Sequence, residues 1–392
     1  MHALNPVFLP GPTNLPESLR RACDIPTMDH RSAAFGPILA SAMAGVKQVL
    51  HLSEGEVAIF PATGTGGWEA AITNTLRPGD KVLAARHGMF SRKWIDLCQR
   101  HGLDVEIVER PWGEGVPVEA FAAALAADKS HEIRAVLVTH NETATGVTSD
   151  VAAVRAVMTA ARHPALLMVD GVSSIGSIDF RMDAWGVDLA VTGSQKGFML
   201  PAGLAIVGIG PKALAAMETA GLPRCFFDIR DMLGGNYPYT PPVGLINGLA
   251  VSTGLLLEEG MESVRARHHR IAEGVRRAVA AWGLTTCAAR PELCSDTVTA
   301  IVTPDGVDAG RIVRHAAEAY GVAFGGGLGE VAGKVFRIGH LGLMSDVMAL
   351  SGIATAEMAM TDLGLPVRLG SGVAAAQEHY RNSKTAPVRA AA

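Results

Sequence analysis

Lys196 lies in the run VDLAVTGSQKGFMLPAG (187–203), just past an apolar segment (189–192) and among Gly193, Ser194, Gln195 and Gly197. An amine at the mouth of a core strand, with small neighbours, can serve as a nucleophile or a base. The same position also suits an ordinary solvated loop lysine, so its role depends on what surrounds it. PATGTGGWEAAI (61–72) reads as a glycine- and threonine-rich turn entering a helix whose apolar face includes Trp68, Ile72 and Leu76. Free amides and hydroxyls at such a helix start suit a phosphate, and a plain tight turn is the alternative. The turn is not a dinucleotide fingerprint, because Gly64 and Gly66 are followed by Glu69 where a third glycine is required. In ALLMVDGVSSIGS (165–177) an apolar run ends in Asp170, a carboxylate placed either to hold a ring nitrogen or to cap a helix. In KVFRIGHLG (334–342), Arg337 stands beside glycines that leave room for bidentate capture of a carboxylate, with a surface ion pair as the other reading. THNETATG (139–146) adds small polar side chains at another strand end. GGGLGEVAGK (325–334) is not a phosphate-binding P-loop, since the position five before Gly333 is Leu328 and Lys334 is followed by Val335.

The elements that must hold these residues follow from periodicity. Short apolar runs near 57–60, 81–85, 103–108, 133–139, 165–169, 188–192 and 203–208 alternate with helical patterns, which predicts a mostly parallel α/β sheet of seven strands. Ligands of such sheets sit outside the carboxyl ends of the strands. Ile38, Leu39, Ala42, Met43, Val46, Val49 and Leu50 give residues 37–51 one apolar helical stripe. A helical region over 243–282 has Gly260 as its kink or boundary, and a strand at 298–302, helix at 308–319, strand at 334–339 and helix at 345–363 then form a smaller α/β unit. The expected organisation is an N-terminal arm at 1–20, a large domain at 21–260 and a small C-terminal domain at 261–392. FLPGPTNLP (8–16) is too rich in proline and glycine for helix or central strand and should be an irregular arm, while the alanine-rich tail after about 375 should fray.

Composition narrows the partners. At 392 residues the chain exceeds what one core usually serves. Charged residues make up 18%, the net charge is -4, and no block of like charge suggests a nucleic-acid surface. The five cysteines are scattered without CxxC spacing, so they read as reduced thiols of a cytoplasmic protein, and neither a metal site nor a disulfide framework is expected. No export signal and no apolar run long enough to span a membrane is visible.

A phosphate cradle, an acid for a ring nitrogen, a lysine and a carboxylate clamp are together the parts needed for pyridoxal 5'-phosphate acting on an amino acid. The motifs TGTGGWEA, HNETATG, VDGVSSIG, TGSQK and RIGHLG, in that order and spacing, resemble the class V aminotransferases of pyridoxal phosphate fold type I, in the branch that acts with glyoxylate. The resemblance runs from FLPGPTNLP to SGVAAAQEHYR. It implies that Lys196 is the lysine bonded to the cofactor and that Asp170 pairs with its ring nitrogen. Val172 and Phe90 would cover the two faces of the ring. Thr63, Gly64 and Thr65 would hold the phosphate, with Gln195 and Thr143 as further cofactor contacts. Tyr237 and Thr240 would reach the phosphate of a neighbouring subunit, which implies a homodimer, possibly a tetramer. Arg337 would clamp the substrate α-carboxylate, with Gly11 of the arm nearby.

The implied reaction moves the amino group of a small L-amino acid to glyoxylate, giving glycine and a 2-oxo acid. Serine is the favoured donor and aspartate a close second, with alanine as an alternative. Arg86, His87, Arg92 and His340 are candidates for the extra cation that aspartate would want. A cysteine desulfurase-like lyase shares the fold but needs a cysteine ahead of the arginine, and none lies between Cys294 and Arg337. A non-catalytic binder of a phosphorylated ligand is the remaining alternative.

Overall fold

A seven-stranded sheet, a five-stranded sheet and the β6-β7 ribbon make up the strands of the computed structural model, which describes residues 6–235 and 237–383. The strands are β1 (Val7–Phe8), β2 (Glu56–Phe60), β3 (Lys81–Arg86), β4 (Asp104–Glu109), β5 (Ile133–Thr139), β6 (Asn141–Glu142), β7 (Val147–Thr148), β8 (Leu166–Asp170), β9 (Leu189–Gly193), β10 (Ala205–Ile209), β11 (Thr285–Thr286), β12 (Val298–Val302), β13 (Ala323–Gly326) and β14 (Val335–Gly339). The helices are α1 (Glu17–Cys23), α2 (Phe35–Leu50), α3 (Gly64–Thr73), α4 (Met89–Arg100), α5 (Val118–Ala127), α6 (Val151–Ala160), α7 (Pro211–Met217), α8 (Val243–Glu259), α9 (Met261–Ala281), α10 (Ala309–Tyr320), α11 (Asp346–Asp362) and α12 (Ser371–Asn382).

The large sheet has seven strands in the order β2-β10-β9-β8-β5-β3-β4. Only β10 runs against its neighbours β2 and β9, and the other pairs are parallel. Every residue of β8, β9 and β10 is buried, as expected for strands covered on both faces. Alternation sends Val169 and Ala190 toward a core with α2 and α8, and Met168 and Val191 toward a core with α3 and α4. All seven expected strands are present, and Gly260, at φ 82°, separates α8 from α9 as its type predicts.

The small sheet, β1-β13-β14-β12-β11, includes the arm. Val7 and Phe8 pair in parallel with Ala323 and Phe324, so the start of the expected irregular stretch is an edge strand. Phe8 is 1% exposed and lies against Phe324 and Gly352; burying such a ring is worth roughly 2–3 kcal/mol, which ties the arm down. The fraying expected after 375 is not found up to Asn382. Tyr380 of α12 is buried against Gly274 and donates its hydroxyl to the Ile271 carbonyl at 3.0 Å, and Gly372 lies against Trp282. The rest of that tail lies outside the described residues. Among the described residues no helix is long and apolar enough to cross a membrane.

Candidate active site

Asp170 ends β8 and is in register with Val191 of β9, and β9 ends at Gly193, three residues before Lys196. Two turns packed backbone to backbone aim the lysine. Gly176 lies against Gly197, and a Cβ on Gly197 would stand 2.1 Å from the Ile175 carbonyl oxygen. Ser194 closes its own turn, donating to the Pro201 carbonyl at 2.7 Å and accepting from the Leu204 amide at 3.1 Å.

The Lys196 amine donates to the carbonyl of Pro10, and Gly11 lies directly over its side chain, where a Cβ would meet Cδ at 2.4 Å. The arm therefore covers the lysine, and Gly11, at φ +98°, is required twice over. Burial lowers the Lys196 pKa to about 8; the Arg337 charge pushes the same way and the Asp170 charge opposes both. Asp170 is 4% exposed and its Oδ1 accepts from the Val172 amide at 2.9 Å. Burial raises its pKa to about 7, aided by the Glu142 charge and opposed by the Val172 amide, Trp68 and Lys196. Trp68 reaches this site because Gly67, just before it, lets α3 sit against Val191. Its indole N–H closes no full hydrogen bond, yet lies near enough to Asp170 to favour the charged form.

The fit to a phosphorylated pyridine can be tested on the residues present. The α3 ladder begins with the Gly67 amide donating to the Thr63 carbonyl at 3.1 Å, so the amides before it are left for a ligand. Thr63 is extended and makes no side-chain cap, and Thr63 and Thr65 are exposed. Gln195 Oε1 is buried without a partner and lies near Gly193, whose absent Cβ would also lie 3.6 Å from the Gly64 amide nitrogen. Val172 packs on Gly64, where a Cβ would meet Cγ2 at 2.5 Å. An uncapped helix start with hydroxyls, an orphaned amide oxygen, a buried acid and a partly neutral lysine form a donor set that fits the group.

Arg337, on β14, is moored by its Nε to the Gly326 carbonyl and by its Nη1 to the Thr143 carbonyl, both at 3.0 Å. Nη2 has no partner among the described residues and is left for an anion. Burial lowers the Arg337 pKa to about 10, with the Glu142 charge opposing. The Thr143 hydroxyl bonds Ser173 at 2.8 Å, and Asn141 binds the same Ser173 hydroxyl at 2.8 Å. Ser173, Trp68 and Glu142 were not singled out as site residues in the sequence. Glu142 in HNET could have been, since a charged residue among small polar ones at a strand end needs a reason to be there.

The other expected residues are either engaged elsewhere in the single chain or exposed. The Tyr237 hydroxyl donates to the Ile59 carbonyl at 2.7 Å, while Thr240 is exposed. Arg86 pairs with Glu109 at 3.0 Å, and Arg92 is exposed. His340 is buried between Thr299 and the Asp296 carbonyl, and burial lowers its pKa to about 3. His87 is fully buried with Nδ1 3.2 Å from the Glu114 carbonyl, which burial keeps neutral with a pKa of about 4, and its Nε2 has no partner.

The family model described as aminotransferase class V matches residues 22–332. The chain is 69% identical to the L-aspartate--glyoxylate aminotransferase of Paracoccus denitrificans, covering 100% of each. It is 52% identical to the serine--glyoxylate aminotransferase of Hyphomicrobium methylovorum, covering 97% of this chain and 95% of that one. Its structure is similar to that of the pyridoxamine-pyruvate aminotransferase of Mesorhizobium loti, with a TM-score of 0.92, 31% identity and 98% of each chain covered.

Proposed function

Because this chain belongs to the class V aminotransferases, we propose that it moves the amino group of a small L-amino acid onto glyoxylate, and that Lys196, Asp170 and Arg337 carry the reaction. The observation behind this reading is the convergence of these three residues from distant parts of the chain, close enough that Lys196 feels the charges of both others. The cofactor is pyridoxal 5'-phosphate, which when bound supplies an aldehyde carbon and a ring able to accept the electrons released as a substrate Cα proton leaves.

In the proposed reaction Asp170 faces the ring nitrogen and favours a proton there, in a buried setting where a charge interaction is strong. Val172 and Phe90 flank the ring, Thr63, Gly64, Thr65 and Gln195 hold the phosphate, and Thr143 contacts the ring's oxygen. Lys196, with its pKa near 8, is partly neutral at physiological pH, so it can take the Cα proton and return it. Arg337 presents its Nη2 side to the α-carboxylate, and its two backbone moorings keep it from swinging away. Pro10 and Gly11 of the arm exclude water from the lysine. A homodimer, in which Tyr237 and Thr240 reach a second copy's phosphate site, is part of the proposal, supported by the exposure of Thr240. A cytoplasmic location is also proposed, supported by five free cysteines.

Aspartate and serine are the proposed donors. The relative at 69% identity is named for aspartate and those at 52% for serine, which supports both. The test is kcat/KM for aspartate, serine and alanine with glyoxylate as acceptor. Aspartate and serine are expected to exceed alanine at least tenfold, and a clear preference for alanine overturns the reading.

A further inference from the structure

We propose that Glu142 is a positioning residue whose buried carboxylate fastens the first turn of α4, and with it Phe90, to the turn that moors Arg337. Its Oε2 accepts the amides of Phe90 and Ser91, both at 3.0 Å, and its Oε1 accepts the Ala144 amide at 3.1 Å. The N-cap of α4 is Gly88, which has no side chain to cap with, so Glu142 supplies from across the site what a local serine or aspartate would normally give. Gly88 makes this possible, because a Cβ there would lie 2.2 Å from Glu142 Cγ.

The other oxygen works on its own turn. The Ala144 amide is held by the side chain and the Gly146 amide by the backbone carbonyl of Glu142, at 2.9 Å. Thr143 sits between Glu142 and Ala144 in this turn, and its carbonyl binds Arg337 while its hydroxyl binds Ser173. One carboxylate therefore joins the residue assigned to a ring face with the backbone that holds the substrate arginine. A role in stability alone would not call for a carboxyl here, whose pKa burial pushes up against the amides of Ser91, Ala144 and Phe90. A fully buried carboxylate is costly, and a local hydroxyl cap would serve the helix as well.

This inference rests on the proposed placement of Phe90 over the ring, and a double-mutant cycle separates the two. The dissociation constant of pyridoxal phosphate is measured by absorbance after equilibrium dialysis for wild type, Glu142→Gln, Phe90→Ala and the double variant. Glutamine has one acceptor where glutamate has two, and places an N–H₂ against backbone donors. The expected result is about tenfold weaker retention for each single variant, with Glu142→Gln adding less than twofold once Phe90 is alanine, because coupled residues are not additive. An equal loss in both backgrounds, or none in wild type, overturns the inference and leaves the placement of Phe90 standing. An unchanged constant in Phe90→Ala overturns that placement and the inference with it. Should Glu142→Gln fail to fold, Gly88→Ala, which displaces the same carboxylate, takes its place in the cycle with the same two outcomes.

Discussion

Asp170 and Glu142 are two buried carboxylates at one edge of the large sheet, and their oxygens are used in opposite ways. Both Glu142 oxygens are taken by backbone amides from two turns. Asp170 spends one oxygen on the Val172 amide, and the other has no hydrogen bond among the described residues. A carboxylate with every acceptor occupied by backbone positions the turns it joins. One with an oxygen free inside a buried site is available to a ligand, while burial raises the pKa of both carboxyls alike.

The sharpest way to break this contrast is to neutralise Asp170. Asp170→Asn is expected to lower kcat at least a hundredfold, a loss typical of removing one preorganised charge from a site. Glu142→Gln is expected to act mainly on cofactor retention, so equal losses of kcat in the two variants would erase the distinction.

A second test uses the cofactor-free protein. Asp170 has a folded pKa of about 7 against 3.8 unfolded, so the folded state binds more protons there between those values and the contribution of Asp170 to stability falls as pH rises from about 4 to 7. Lys196 has a folded pKa of about 8 against 10.5 unfolded, so the unfolded state binds more protons there and stability rises from about pH 8 to 10.5. His87 and His340, buried with pKa values of about 4 and 3, add stability as pH rises toward 6.5 and so oppose the Asp170 trend, which makes the difference between wild type and variant in urea unfolding across pH the quantity to read. Asp170→Asn should remove the acid contribution, about 4 kcal/mol, and Lys196→Met the alkaline one, about 3 kcal/mol. A difference from wild type that stays flat across pH in both variants would mean that neither group carries its contribution.

The smallest effect concerns the donor side chain. Arg86 is paired with Glu109 on a partly exposed surface, an arrangement worth at most about 1 kcal/mol. Arg86→Ala should change kcat/KM for aspartate less than twofold, and a tenfold loss would make Arg86 a substrate residue.

The legible part of the site was the part written locally. Lys196, Asp170 and the 63–65 turn each follow an apolar strand directly, and Arg337 lies in one, so pattern and chemistry pointed to the same places. What could not be read depends on contacts far apart in sequence. Glu142 meets the Phe90 amide 52 residues away, and Trp68 approaches Asp170 only because Gly67 seats α3 on Val191. The arm's two-residue strand was hidden because its partner, AFGG in β13, is half glycine and carries no strand pattern. The ordered end of α12 was hidden because an alanine-rich run gives no sign of the Tyr380 contact with α9.

Everything proposed for the site depends on Lys196 being the amine that bonds the cofactor beside Asp170. Reducing the cofactor-loaded protein with borohydride, digesting it and mapping the added mass tests this directly. The modification is predicted on the peptide containing Lys196, at close to one per chain; its appearance on another lysine, with Lys196 unmodified, would contradict the account.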